Sequence, residues 1–174
     1  DVYKRQGIVF AVIGSHKKEN NPSVADNQNN ETTAEPTTEE ETTTKVPTVE
    51  VDLMMIGDML MHEGVVKSGL MDDGTYNFDH LYTNIAKDIS SADIKIVNQE
   101  TILGGSDFAY TGYPTFNSPW ALGDAEVKAG FNIILHATNH TLDKGLKGVE
   151  NCLSFWKTYH PDTTVLGINE TEED

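Results

Sequence analysis

Residues 131–168 read FNIILHATNHTLDKGLKGVENCLSFWKTYHPDTTVLGI. FNIILHA is a continuous apolar run, as expected of a strand buried on both faces of a parallel sheet. ATNHTLDKG then crowds Asn139, His140 and Asp143 into a polar turn just behind His136. In LKGVENCLSFWKTY, Leu146, Val149, Leu153 and Trp156 recur at helical spacing. TTVLGI begins another strand. A strand, a helix and a strand in succession predict an α/β domain.

The same alternation extends towards the N-terminus. VEVDLMMIGD, from residue 49 to 58, is an apolar run closing on Gly-Asp. FDHLYTNIAKDISSAD places Phe78, Leu81, Ile85 and Ile89 on one helical face. IKIVNQE is a second short strand. TILGGSDFAYTGYPTFNSP, residues 101–119, is a Gly/Pro-rich loop too long for a mere connection. WALGDAEVKAG predicts a short helix stopped at Gly130. The fold class is α/β with a mainly parallel sheet, and sites in such sheets form beyond the carboxyl ends of the strands.

Three strand ends carry one kind of chemistry. The first ends at Gly57-Asp58, with His62 four residues on; the second ends at Asn98-Gln99-Glu100; the third ends at Asn139-His140. Carboxylate, amide and imidazole groups suit Mn, Fe or Zn. Two such ions clamp a phosphate and activate a water between them. Each piece alone has a plainer reading: Asp58 as a cap on the next turn, Glu100 as a solvated acid, Asn139-His140 as a satisfied polar turn. Their recurrence at successive strand ends, about 40 residues apart, favours a joint metal site.

MIGDMLMH, IVNQET, the stretch from PTFNSPW to CLSFW, and TVLGINETEED resemble the poly-gamma-glutamate capsule synthesis (CapA) family, a branch of the calcineurin-like metallophosphatases. The resemblance covers about residues 49–174, and its most specific element is Asn139-His140 followed by Asp143 and Gly145. It implies the N-terminal part of a four-layer α/β/β/α metallophosphatase-like sandwich. Carried over by position, Asp58, Glu100, Asn139 and His140 match metal-site residues, with Glu100 as the bridge; such a site would set Asn139 or His140 near the leaving oxygen. Two divalent ions, Mn, Fe or Zn, are the implied cofactors. The implied role is making or exporting an anionic capsule polymer such as poly-gamma-glutamate, through hydrolysis of a phosphoester or related bond, in a membrane-bound synthesis complex. The alternative is a non-catalytic module that binds or guides polymer in that complex.

The chain departs from the family pattern in three ways. Thr138 stands where members carry a first Asn, so a polar contact should be lost. The position two after Asp58 is Leu60 rather than His, which leaves His62 as a candidate substitute at a different offset. The family continues past Asp174 with further His residues, so a fragment cut at both ends, with an incomplete site, is expected.

Residues 1–48 read differently. DVYKRQ, residues 1–6, resembles a translated sequencing adaptor; GIVFAVIG, residues 7–14, fits the remnant of a membrane anchor or signal segment, being far shorter than the roughly 20 residues that span a bilayer. Residues 15–48 are rich in Thr, Glu, Asn and Pro and bury too little apolar surface to order, which predicts a disordered stalk. Anchor and stalk together place the domain on the extracellular face of the cell membrane. A net charge of −16 from 12 basic and 28 acidic residues excludes nonspecific nucleic-acid binding.

Other residues have quieter readings. Cys152 is the only cysteine, so no internal disulfide or Cys-based zinc cluster exists, and it reads as a small core residue. His136 reads as a buried histidine hydrogen-bonded across the sheet, Asp143 as a helix cap, and His80 and His160 as surface residues. Tyr113, Phe116, Asn117 and Trp120 have two readings, a substrate groove or core packing under the long loop.

Overall fold

In the computed structural model, residues 48–171 are described; the adaptor, the anchor remnant and all but the last residue of the stalk lie outside them. Four strands form: β1 (Leu53–Ile56), β2 (Ile94–Asn98), β3 (Ile133–Leu135) and β4 (Thr164–Leu166). They lie side by side in chain order, and every neighbouring pair is parallel. Four helices separate or flank them: α1 (Glu63–Ser68), α2 (Ala86–Ser91), α3 (Ala121–Ala129) and α4 (Gly145–Tyr159). The expected α/β class with a parallel sheet is therefore what the chain adopts. Among the described residues no helix is long and apolar enough to cross a membrane.

Side-chain alternation along each strand decides where the core lies. Val97 and Ile134 are fully buried, and Met54, Ile56 and Val165 pack beside them. Onto this face the helices set Val66, Ile89, Leu122, Cys152, Phe155 and Trp156. The opposite face has no such cover among the described residues: Leu53 is 60% and Met55 57% exposed. One face of the sheet is thus packed and the other open among the described residues.

Two glycines act through geometry. Gly130 ends α3 in the left-handed conformation at φ 108°, and its N–H caps the carbonyls of Glu126 and Val127. Gly123 lets α3 approach α4 so closely that an added Cβ would lie 2.6 Å from the Phe155 ring.

The elements differ from expectation in three places. The helix expected over residues 78–93 breaks into one 3-10 turn, Asp79–Leu81, and α2. Tyr82, Thr83 and Asn84 between them are weak helix formers. The short helix α1 has no expectation behind it, since six residues carry too little periodicity. In α4 the buried face is Gly148, Asn151, Cys152, Phe155 and Trp156, while Leu146 is 74% exposed. The face is rotated because Asn151 is held inward by hydrogen bonds to Gly104 O at 2.9 Å and Asp107 at 3.0 Å.

The long loop is fastened rather than loose. Asn117 accepts from Gly104 N at 2.9 Å and donates to Gly105 O at 2.9 Å, while Trp120 donates to Leu103 O at 2.9 Å. Asn117 and Phe116 are buried, so these two and Trp120 belong to packing, whereas Tyr113 is 70% exposed.

Candidate metal centre

β1 and β2 end beside each other and hand their polar termini to one place. Asn98 donates to Asp58 Oδ1, and the backbone N–H of Met59 donates to Asn98 O at 2.8 Å. Asp58 is thereby aimed at the next strand end. Glu100 is held from the third: Thr138 Oγ1 donates to the Glu100 carbonyl at 2.7 Å, and the same hydroxyl accepts from His140 N at 3.1 Å. Thr138 thus supplies polar ties at the position where a lost contact was expected.

The carboxyl groups of Asp58 and Glu100 meet. Glu100 is held above the usual carboxylate range, first by burial, then by the negative charge of Asp58 and a hydrogen bond with it; His140 and His62 pull the other way. A neighbouring carboxylate disfavours the ionised form of Glu100, because like charges repel. His140 Nε2 stands 4.0 Å from Glu100 Oε1, with both side chains about 85% buried (16% and 15% exposed).

Asp143 orients that imidazole. Its Oδ2 accepts from His140 Nδ1 at 2.8 Å and from the Phe116 backbone N–H at 2.7 Å. A carboxylate accepting two donors puts the hydrogen on Nδ1 and leaves Nε2 facing Glu100. Asp143 is therefore not the cap of α4; the N-cap is Lys144, with no side-chain cap bond. Phe116 sits edge-on to both imidazoles, 4.5 Å from His140 and 5.3 Å from His62 between ring centroids. His62 occupies the N-cap position of α1 and is exposed.

So the structure gathers Asp58, Glu100 and His140, with His62 at their edge. Asn139, beside His140 in the turn, is exposed and lines a groove with Thr138, Leu142, Leu146 and Val149. Three members are not marked by the strand-end spacing: Asn98, Thr138 and Asp143 in its role as partner of His140. Asp143 alone carried a signal, since a carboxylate three residues beyond a histidine reaches it within one turn.

His136 is apart from this cluster. Its Nε2 accepts from Trp156 Nε1 at 2.9 Å, and a hydrogen bond to the Gln99 backbone holds its other side. Burial pushes its pKa down to about 4. It is the buried, hydrogen-bonded histidine that was expected. Cys152 is buried too, and burial raises its thiol to about 12.

The profile of a family described as bacterial capsule synthesis protein PGA_cap matches residues 52–174. The chain belongs to this family. Every element and every candidate ligand described above falls inside the matched PGA_cap region. Among curated proteins none matches the chain.

Does the PGA_cap cluster suit a divalent cation? Its donors are two carboxylates and an imidazole nitrogen, which fit Mn, Fe or Zn. A cation held beside Asp58 and Glu100 would relieve the repulsion that raises Glu100. Among the described residues no group of three His, Cys, Asp or Glu side chains is placed to hold a metal ion. The residues present match a divalent cation in donor type, while their present spacing does not form a ligand set.

Proposed function

We propose that this PGA_cap chain is a metal-dependent hydrolase of a phosphoester or related bond, working in capsule-polymer synthesis or export at the outer face of the cell membrane. The observation that carries this reading is the meeting of Asp58 and Glu100 beside an oriented His140 at three adjacent strand ends. Asp58, Glu100, Asn139 and His140 would hold the metal. Bound there, divalent ions would supply positive charge to phosphoryl oxygens and acidify a water.

The chain's own residues do the rest. Asn98 and the Met59 backbone fix the aim of Asp58. Asp143 accepts the hydrogen bond from His140 Nδ1, which leaves the Nε2 lone pair facing the cluster, where it would hold the metal. Phe116 covers one edge of that imidazole and limits water access to it.

A second reading has its own support. Among the described residues no group of three His, Cys, Asp or Glu side chains is placed to hold a metal ion, as a non-catalytic polymer-binding or assembly module would have it. One experiment separates the two. The full chain is loaded with Mn²⁺ and assayed on mono- and diester phosphate substrates, beside Asp58→Ala, Glu100→Gln and His140→Asn. Metal-dependent turnover lost in all three variants supports hydrolysis. No turnover, with capsule production intact in an Asp58→Ala strain, overturns it. No turnover, with capsule lost in that strain, favours the binding module.

A further inference from the structure

Beside the metal cluster, the start of α1 and loop residues 110–115 enclose a groove of about 410 Å³. His62 belongs to both places, since it lines this groove and its ring abuts Phe116, which in turn abuts His140. The volume lies within the range of small-ligand pockets. We propose that this groove is a subsite for a neutral saccharide, stacked on Tyr113. It rests on the hydrolase reading only for the working centre next to it; the binding itself needs no metal.

Rigidity is the first argument. Tyr113 is 70% exposed, yet the turn that carries it is fastened on both sides. Thr111 and Asn117 pair through their backbones at 3.2 and 3.0 Å, and Thr111 Oγ1 donates to Thr115 O at 2.6 Å. Lys144 Nζ donates to Thr115 O at 3.1 Å, and Asp143 holds the next residue, Phe116, at 2.7 Å. A large ring held out to water on a fixed mount is preorganised for a ligand, because little ordering remains to be done on binding.

Charge and shape select the ligand. No Lys or Arg lines the groove itself, Lys67 and Lys144 at its border are engaged with Glu63 and Thr115 O, and the neighbouring cluster is acidic, which disfavours a polyanion. The one lining carboxylate, Glu63, already faces Lys67 at 3.3 Å. A cation would need several free aromatic faces around it. Tyr110 instead turns edge-on to Tyr76, 5.1 Å away and inclined at 81°, and leaves Tyr113 as a single open platform. A single platform bordered by Thr, Glu and His polar groups matches a ring that is apolar on its face and hydroxylated at its rim, which describes a sugar.

The test is affinity electrophoresis of the full chain in EDTA. The gels contain dextran, a soluble β-glucan, soluble chitin oligosaccharides, poly-glutamate or a choline-bearing polymer. Retardation by a neutral saccharide is expected, weakened about tenfold in Tyr113→Ala and retained in Tyr113→Trp. Tyr113 is mostly solvated, so its removal leaves the core intact, which circular dichroism checks. No retardation by any saccharide overturns the proposal, as does retardation unchanged in Tyr113→Ala or confined to poly-glutamate or the choline polymer. Because EDTA removes metal, saccharide binding stands or falls separately from phosphoester turnover.

Discussion

Asp143 Oδ2 serves two donors, one on the reactive turn and one on the long loop. Removing it leaves an imidazole and a buried-side backbone N–H without their acceptor. Asp143→Asn keeps the size but loses the charge. If the hydrolase reading holds, it should lower activity or metal affinity about 10–100-fold, the usual cost of losing a partner that orients a ligand. Asp143→Ala should also destabilise the fold by about 1–3 kcal/mol. Turnover and urea midpoints of both variants check these outcomes. A second residue sets an acid limit. His136 stays neutral in the fold to about pH 4, whereas an unfolded histidine takes up its proton near 6.5. Between those values the unfolded chain binds more protons, so stability falls as pH falls. The loss should reach about 3 kcal/mol by pH 4, since each pH unit is worth 1.36 kcal/mol. Urea midpoints between pH 7 and 4 measure it, and the slope should flatten in a folded His136→Gln variant. The residue scale also shows what the sequence makes legible. Asp58, Glu100 and His140 were readable because each closes an apolar run. Asn98, Thr138 and Asp143 were not, because their roles are hydrogen bonds across about 40 residues or a turn geometry that spacing does not encode.

At the scale of elements, α3 carries an unusual burden. Glu126 is fully buried, and neither carboxyl oxygen has a hydrogen-bond partner. Burial holds its pKa well above the ordinary value, so the fold keeps it protonated where the unfolded chain ionises. The unfolded chain then binds fewer protons above about pH 4.5, and stability falls as pH rises through that value. Glu126→Gln copies the size of the protonated acid and removes the titration. It should raise the urea midpoint at pH 7 and leave that at pH 4 nearly unchanged. The nearby Tyr82 hydroxyl is also buried without a partner. The packing of α3 on α4 gives a further outcome. Gly123→Ala sets a methyl 2.6 Å from the Phe155 ring, and overpacking of this kind costs about 1–3 kcal/mol, visible as a lower melting temperature. Strands and long helices were readable from period and punctuation: Gly130 ends α3 where the sequence places it. The break before α2 and the rotated face of α4 were not, since weak propensity and one inward Asn outweigh an apolar period.

For the molecule as a whole, the alternation of apolar runs and amphipathic segments was enough to read a parallel α/β domain. The uncovered sheet face is its clearest physical liability. Leu53, Met55 and Leu166 are about half exposed or more, and contiguous apolar area of this kind drives association. Residues 48–171 alone should self-associate and bind a hydrophobic dye. Leu53→Lys with Met55→Lys should reduce both, as read by light scattering and dye fluorescence. The excess of acidic residues supplies repulsion that salt screens, so association should grow with ionic strength.

The order of the strands has a bearing on birth as well as on shape. Since β1, β2, β3 and β4 lie side by side in the order in which they are made, no strand must wedge itself between two that have already paired. A nascent chain leaving the ribosome can add each strand to a waiting edge, and the Asp58–Glu100 meeting can form before Asn139-His140 has been translated.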